Sequence, residues 1–183
     1  MSTKTYNAAK STLTGDRVNL YANTALGEND VTEATDFSEV DPIAFGTSCS
    51  VEVTIDTIDS SNKMGGNWKN TRAGQLGWSM NIEALYSTDE EHMSFDKLLA
   101  AAANREAIGV ALGIVAKTEA EFEAARAAGF KLEASDKVLA KGKAYITSIS
   151  ANMGNGGEVI SYSATLTGDG PLYVGSVAKP EQA

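Results

Sequence analysis

Over residues 47–86, apolar and polar side chains alternate in two successive runs. Cys49, Val51, Val53 and Ile55 interleave with Ser50, Glu52, Thr54 and Asp56; farther on, Leu76, Trp78, Met80, Ile82 and Ala84 interleave with Gln75, Gly77, Ser79, Asn81 and Glu83. Side chains on a strand point to alternate faces, so a period of two predicts two half-buried β-strands. Their succession predicts one long antiparallel hairpin with an apolar and a polar face. The connection, residues 59–73 (DSSNKMGGNWKNTRA), is too long for a tight turn. Loops of this length are usually functional or disordered, and we expect a projecting arm.

The same period recurs on either side. Val18, Leu20 and Ala22 predict a strand over 17–23, and Pro42 precedes a short strand over 43–46. Residues 141–151 and 157–167 flank a turn at 152–156, with Ile160, Tyr162, Ala164 and Leu166 opposing Val159, Ser161, Ser163 and Thr165, which predicts a second hairpin. Residues 106–116 are apolar with little alternation, as in a strand covered on both faces. Phe95, Leu98, Leu99 and Ala102 fall at helical spacing and predict a helix over 94–104, capped by Ser94 and favoured at its start by Asp96. That helix is expected to cover Trp78 and Met80. Thr118 and Glu121 form a capping-box pattern ahead of a second, shorter helix, and Gly129 is placed to end it. Residues 131–140 fit neither period. The expected fold is mainly β, sandwich- or barrel-like, with one flanking α-helix and a second short helix. Its 183 residues suit a single domain, 1–183, with an N-terminal arm at 1–14 and a flexible tail at 175–183.

Charge narrows the partners. The 24 acidic residues outnumber the 15 basic ones, for a net charge of −9, the wrong sign for stable phosphate binding. A surface that must let a polyanion pass without sticking would also be acidic. The one cysteine, Cys49, has no intramolecular partner, so folding in a reducing cytoplasm is expected. Residues 1–10 lack the apolar segment of a signal peptide, and no run reaches membrane-spanning length, so no membrane association is expected.

Candidate chemistry is sparse. Residues 27–41 are acidic, but their spacing does not match the oxygen-ligand loop of an EF-hand, which leaves a solvated loop. The only histidine, His92, follows Asp89, Glu90 and Glu91; with one Cys and one His in no paired spacing, neither a metal site nor a catalytic triad is expected. Gly154, Gly156 and Gly157 lie between two strands rather than between a strand and a helix, so they are hairpin glycines and not a phosphate cradle. Glu52, Asp56 and Glu83 share an open sheet face without a pocket, which argues against acid–base catalysis. Neither catalytic residues nor a cofactor are predicted. Trp68 is a large aromatic on a polar loop. Either it folds back on its own domain or it contacts another subunit, and the second is preferred.

Several segments together resemble a known family. The text GTSCSVEVTIDTIDSSNK (46–63), the loop GGNWKN, GQLGWSMNIEALYS (74–87), GKAYITSISA (142–151) and GEVISYSATLTGDGPL (157–172) is similar to the major tail tube proteins of long-tailed bacteriophages, in particular major tail proteins of the TP901-1 type. Residues 27–41 and 117–137 look like insertions relative to that pattern. The resemblance implies a structural protein that assembles as hexameric rings stacked into a tube through which the genome leaves. Carried onto these residues, it implies that Ser50, Glu52, Thr54, Asp56, Ser79, Asn81 and Glu83 face the lumen. It implies also that Met64, Gly65, Gly66, Asn67, Trp68, Lys69 and Asn70 stack on the next ring. Expected partners are further copies of the chain and the tape measure, tail terminator and baseplate proteins, with DNA passing transiently and without specific binding. The expected location is the virion tail, after synthesis in the host bacterial cytoplasm. Two alternatives stand beside this reading: the inner tube of a contractile injection or secretion system, and a monomeric β-sandwich binding module or hydrolase, which predicts a stable monomer with a ligand pocket.

Overall fold

A computed structural model describes residues 15–176 except 39, 41, 44–45, 62–67, 89–91, 133–135 and 155. The two-residue periods resolve into six strands: β1 (Val18–Asn23), β2 (Gly46–Asp59), β3 (Thr71–Leu85), β4 (Ala107–Ile114), β5 (Lys137–Asn152) and β6 (Ser161–Ser176). The helical segments are α1 (Phe95–Asn104) and α2 (Glu119–Ala127). All six strands join one antiparallel sheet in the order β1-β4-β5-β6-β3-β2. The expected mainly β architecture with two helices is what the chain adopts. Its edge strands, β1 and β2, approach each other, so the sheet curls toward a barrel. Around the short strand expected at 43–46, Pro42 and Ile43 form isolated bridges to Tyr21 and Met93, and Gly46 opens β2, while 44–45 lie outside the described residues.

Alternation puts a buried cluster on each face of the sheet. On one face Leu20, Trp78, Met80, Ile82, Ile108, Val110, Leu112 and Leu166 pack with Leu98 and Ala101 of α1. The ring of Phe95 lies 5.4 Å from that of Tyr162 and 6.0 Å from that of Tyr86. On the other face Tyr21, Ala111 and Val138 pack with Val31, Phe37, Val40 and Leu132. The near-continuous apolar run of β4 is therefore covered on both sides, as its composition requires. The acidic loop, residues 27–41, exposes the carboxylates of Glu28, Asp30, Glu33 and Asp36 but inserts Val31, Phe37 and Val40 beneath them. It is a lid over the second cluster rather than a purely solvated loop. The Lys141 ammonium, on a residue only 2% exposed, clamps it by donating to the carbonyls of Glu33 and Thr35 at 2.8 and 2.9 Å.

Several local expectations are refined. The α2 capping box is present in full, with Glu121 N–H donating to Thr118 Oγ1 at 3.3 Å and Thr118 N–H donating to Glu121 Oε2 at 3.1 Å. Gly129 follows the helix with φ +76°. Ser94 occupies the N-cap of α1 with extended backbone, but its side chain makes no capping bond. That helix lies nearest β5, while Trp78 is covered chiefly by glycines. Its indole rests on Gly142 and Gly168 of β5 and β6, where an added Cβ would come within 2.5 and 2.1 Å of the ring, and its N–H donates to Gly170 O at 3.0 Å. β6 runs to Ser176, pairing Gly175 with Val138 and Ser176 with Lys137, so 175 and 176, expected in the tail, belong to the strand. The expected arm 1–14 and the rest of that tail, 177–183, lie outside the described residues.

Candidate interaction faces of the long hairpin

The β2–β3 hairpin pairs from Gly46 with Ala84 to Asp59 with Thr71. β6 accompanies β3 only over Ser79–Leu85. Beyond Ser79 the hairpin is a two-stranded ribbon that overhangs the sheet. Two-stranded ribbons have little stability of their own, and this one also leaves the outer edge of β2 unpaired among the described residues, a template for further pairing.

Its two faces differ as the sequence pattern requires. On the polar face Ser48 lies across from Glu83, Ser50 from Asn81, Glu52 from Ser79 and Thr54 from Gly77. All seven predicted residues, Ser50, Glu52, Thr54, Asp56, Ser79, Asn81 and Glu83, are exposed except Ser79, which is half-buried. Asp56 sits at a register shift, against Gly74. The face continues past the hairpin onto β6, where Thr167, Thr165 and Ser163 oppose Ser79, Asn81 and Glu83, and onto β5, where Ser148 and Ser150 oppose Thr165 and Ser163. These five residues were not predicted at the site. Their alternation was visible in the sequence, but only the pairing of β6 with β3 joins the two hairpins into one surface. A bulge between Ile146 and Ser148 turns both Thr147 and Ser148 outward while Ile146 and Ile149 stay on the core side. The sequence signal for it is the broken alternation Ile-Thr-Ser-Ile.

On the apolar face, one row starts in the core and runs out into solvent. Met80 and Ile82 are 1% exposed and Trp78 6%, whereas Val51, Val53, Ile55 and Leu76 are 39, 52, 55 and 70% exposed. Burying a side chain of this size is worth about 1.5–3 kcal/mol, so each half-exposed member leaves roughly 1 kcal/mol available to a covering partner.

Near the tip, Trp68 is 85% exposed and does not fold back on the chain. Ser60 N–H donates to Asn70 O at 2.9 Å and Asn70 N–H to Ser61 Oγ at 3.0 Å, which closes the ribbon below it. Hydrogen bonds from the Ser61 hydroxyl and backbone N–H hold the Asp59 carboxyl below its ordinary range. The Lys69–Asp59 pair, at 3.8 Å and well exposed, adds little. Of the predicted stacking loop, Met64, Gly65, Gly66 and Asn67 lie outside the described residues.

A cavity of about 1090 Å³ opens between the edge strands β1 and β2, walled by apolar side chains including Val18, Leu20, Ile43, Val51, Ile82 and Leu112. Cys49 and the half-buried His92 also line it. Burial pushes the Cys49 thiol up, which disfavours the nucleophilic thiolate. Among the described residues no group of three or more His, Cys, Asp or Glu is placed to hold a metal ion, and no helix is long and apolar enough to cross a membrane.

No protein-family model and no curated relative matches the sequence. Solved structures share the fold. A chain of the virion of a native gene transfer agent particle superposes with a TM-score of 0.60 at 13% identity, covering 89% of this chain and 98% of that one. A chain of the tail of an empty gene transfer agent particle, refined with C6 symmetry, gives 0.58 at 14% identity over 89% and 98%. The SPP1 tail tube gives 0.59 at 14% identity over 90% of this chain and 80% of that one.

Proposed function

We propose that this chain is the structural subunit of a phage-type tail tube, assembling into stacked hexameric rings whose lumen conducts DNA. The observation that carries this reading is the overhanging hairpin with two unlike faces, one bare and apolar, the other lined by hydroxyls and carboxylates. A ribbon of this kind, apolar on one side and unpaired along its edge, needs a neighbour to cover it. Side-by-side closure of copies into a ring would remove the free edges altogether. The likeness of fold to a chain of the SPP1 tail tube and to a chain of a gene transfer agent tail refined with C6 symmetry supports the same arrangement.

In this arrangement the exposed row Val51, Val53, Ile55 and Leu76 is covered by the adjacent copy in the ring. Ser50, Glu52, Thr54, Asp56, Ser79, Asn81 and Glu83 line the lumen, and residues 64–70, with Trp68 foremost, meet the next ring. The role is structural, not catalytic. The tube acts in the virion tail after synthesis in the host cytoplasm, with tape measure, tail terminator and baseplate proteins at its interior and ends. The kinship with the TP901-1 type rests on the segments quoted from the sequence. Negative-stain microscopy of the purified chain over a concentration series tests the reading. Hexameric rings or tubes are the expected result; a monomer at every concentration, alone and with its virion partners, would overturn it.

A further inference from the structure

The long hairpin ends in an exposed aromatic, and the β5–β6 hairpin ends, at the opposite pole of β3, in a turn that suits it. β3 runs from Thr71 to Leu85, 15 residues, or roughly 50 Å at about 3.4 Å per residue. Trp68 precedes its first residue. Past its last, Tyr86 N–H donates to Ile160 O at 2.8 Å, which fixes the β5–β6 turn at the far end. Met153 and Val159, which enter and leave that turn, are each 67% exposed. They meet at its base because Gly154 sits directly against Glu158: a Cβ on Gly154 would lie 3.1 Å from Glu158 Cβ. Gly154 N–H also donates to Asn152 Oδ1 at 3.2 Å. Gly156 and Gly157 carry no side chain, and a Cβ on either would meet nothing within 4 Å. The turn is a low run of glycine flanked by two exposed apolar side chains. The two ends also differ in charge. Residues 59–73 hold Lys63, Lys69 and Arg72 against Asp59 alone, in a chain of net charge −9, whereas residues 144–168 hold Glu158 and no lysine or arginine. Lys69, Arg72 and Glu158 are all exposed.

We propose that the β5–β6 turn is the receptor for the hairpin tip of a second copy, with the Trp68 indole across the glycines between Met153 and Val159, and Lys69 and Arg72 facing Glu158. This deepens the tube reading and rests on it for the stacking of rings. A chain cannot make the contact with itself, because the length of β3 separates tip from turn. Two copies joined head to tail leave one tip and one turn free, so the contact repeats along the strand direction. A turn without side chains lets a large ring lie close to the backbone, and a methionine thioether beside an indole is a favourable pair. Tryptophan buried at the centre of a small contact carries much of its energy. The opposite charges set which end meets which, since a tip approaching another tip meets its own sign.

Single-cysteine chains test it. In a Cys49→Ala background, Asn70→Cys puts a thiol beside the tip of one full-length chain, and Gly156→Cys puts one on the turn of another. Both positions are exposed, and circular dichroism confirms folding; Cys49→Ser serves if the alanine background does not fold. The two chains, distinguished by mass, are mixed over a concentration series and treated with a short bismaleimide cross-linker. The expected result is a heterodimer forming roughly tenfold faster than either homodimer. Adding Trp68→Ala or Glu158→Lys should remove that advantage, and Lys69→Glu with Arg72→Glu on the tip chain should recover it against Glu158→Lys. A heterodimer no faster than the homodimers, or one unchanged by Trp68→Ala, would overturn the proposal. Microscopy of the same mixture keeps the two readings apart. Rings without the heterodimer sink this contact alone, whereas the heterodimer without rings leaves the contact standing and counts against the tube.

Discussion

Replacing Gly168 by alanine should destabilise the fold through a single contact. A Cβ there would lie 2.1 Å from Trp78 Cε2, 2.3 Å from Cδ2 and 2.4 Å from Nε1, against about 3.5–4.0 Å for carbon atoms at their optimum. Gly168 has no positive φ, so the cost is steric rather than conformational. The indole cannot slide along the sheet, because Gly142 makes the other half of its floor. To lift away it must stretch the N–H bond to Gly170 O. Overpacking of this kind costs about 1–3 kcal/mol, and a weakened hydrogen bond about 0.5–1.5 kcal/mol. The sum, roughly 2–4 kcal/mol, corresponds to a fall in Tm of roughly 5–15 °C for a chain of this size. Guanidinium denaturation followed by far-ultraviolet circular dichroism at low protein concentration measures it. Gly156→Ala, where a Cβ meets nothing within 4 Å, is the control and should be nearly neutral. In a Trp78→Leu background the cost of Gly168→Ala should shrink, with a coupling of about 1–3 kcal/mol. A Gly168→Ala variant within about 0.5 kcal/mol of the parent, or an undiminished cost in the leucine background, would refute the reasoning.

Val53→Asp together with Ile55→Asp should abolish ring formation while shifting monomer stability by less than about 1 kcal/mol, since both side chains are more than half exposed; sedimentation velocity and chemical denaturation of one preparation report the two effects. Tyr162 buries a hydroxyl that lacks a partner among the described residues, so Tyr162→Phe should stabilise the fold by about 1 kcal/mol at neutral pH, measured by guanidinium midpoint. Burial also pushes the Tyr162 phenol up to about 12. An unfolded tyrosine titrates near 10, so the fold is unaffected by this group below pH 10 and loses up to roughly 2 kcal/mol as pH rises to about 12; the phenylalanine variant should show a shallower alkaline decline. Thr118→Ala removes the capping-box acceptor of α2 and should cost about 1 kcal/mol, or less if α2 frays locally, which hydrogen exchange of its first turn would reveal. Neutralising Glu52, Asp56 and Glu83 together should slow DNA ejection with tube length unchanged; an ejection rate equal to that of the parent would count against their lining the lumen.

What the sequence determined by itself were the faces. Period-two alternation separates Val51, Val53, Met80 and Ile82 from Ser50, Glu52, Ser79 and Asn81 wherever the strands lie, because the pleat has that period and no other. Capping residues were equally legible at Thr118 and Glu121, where donor and acceptor sit a fixed three residues apart. Tertiary structure decided which faces join and which stay bare. Thr165 comes to Asn81, and Ser150 to Ser163, only through the pairing of β6 with β3 and β5, and long-range pairing leaves no local pattern to read. It also decided that Trp78 is buried on two glycines while Leu76, two residues away on the same face, is 70% exposed. Alternation specifies the direction of a side chain, but its burial depends on how far the neighbouring strand extends, and here β6 stops pairing with β3 at Ser79.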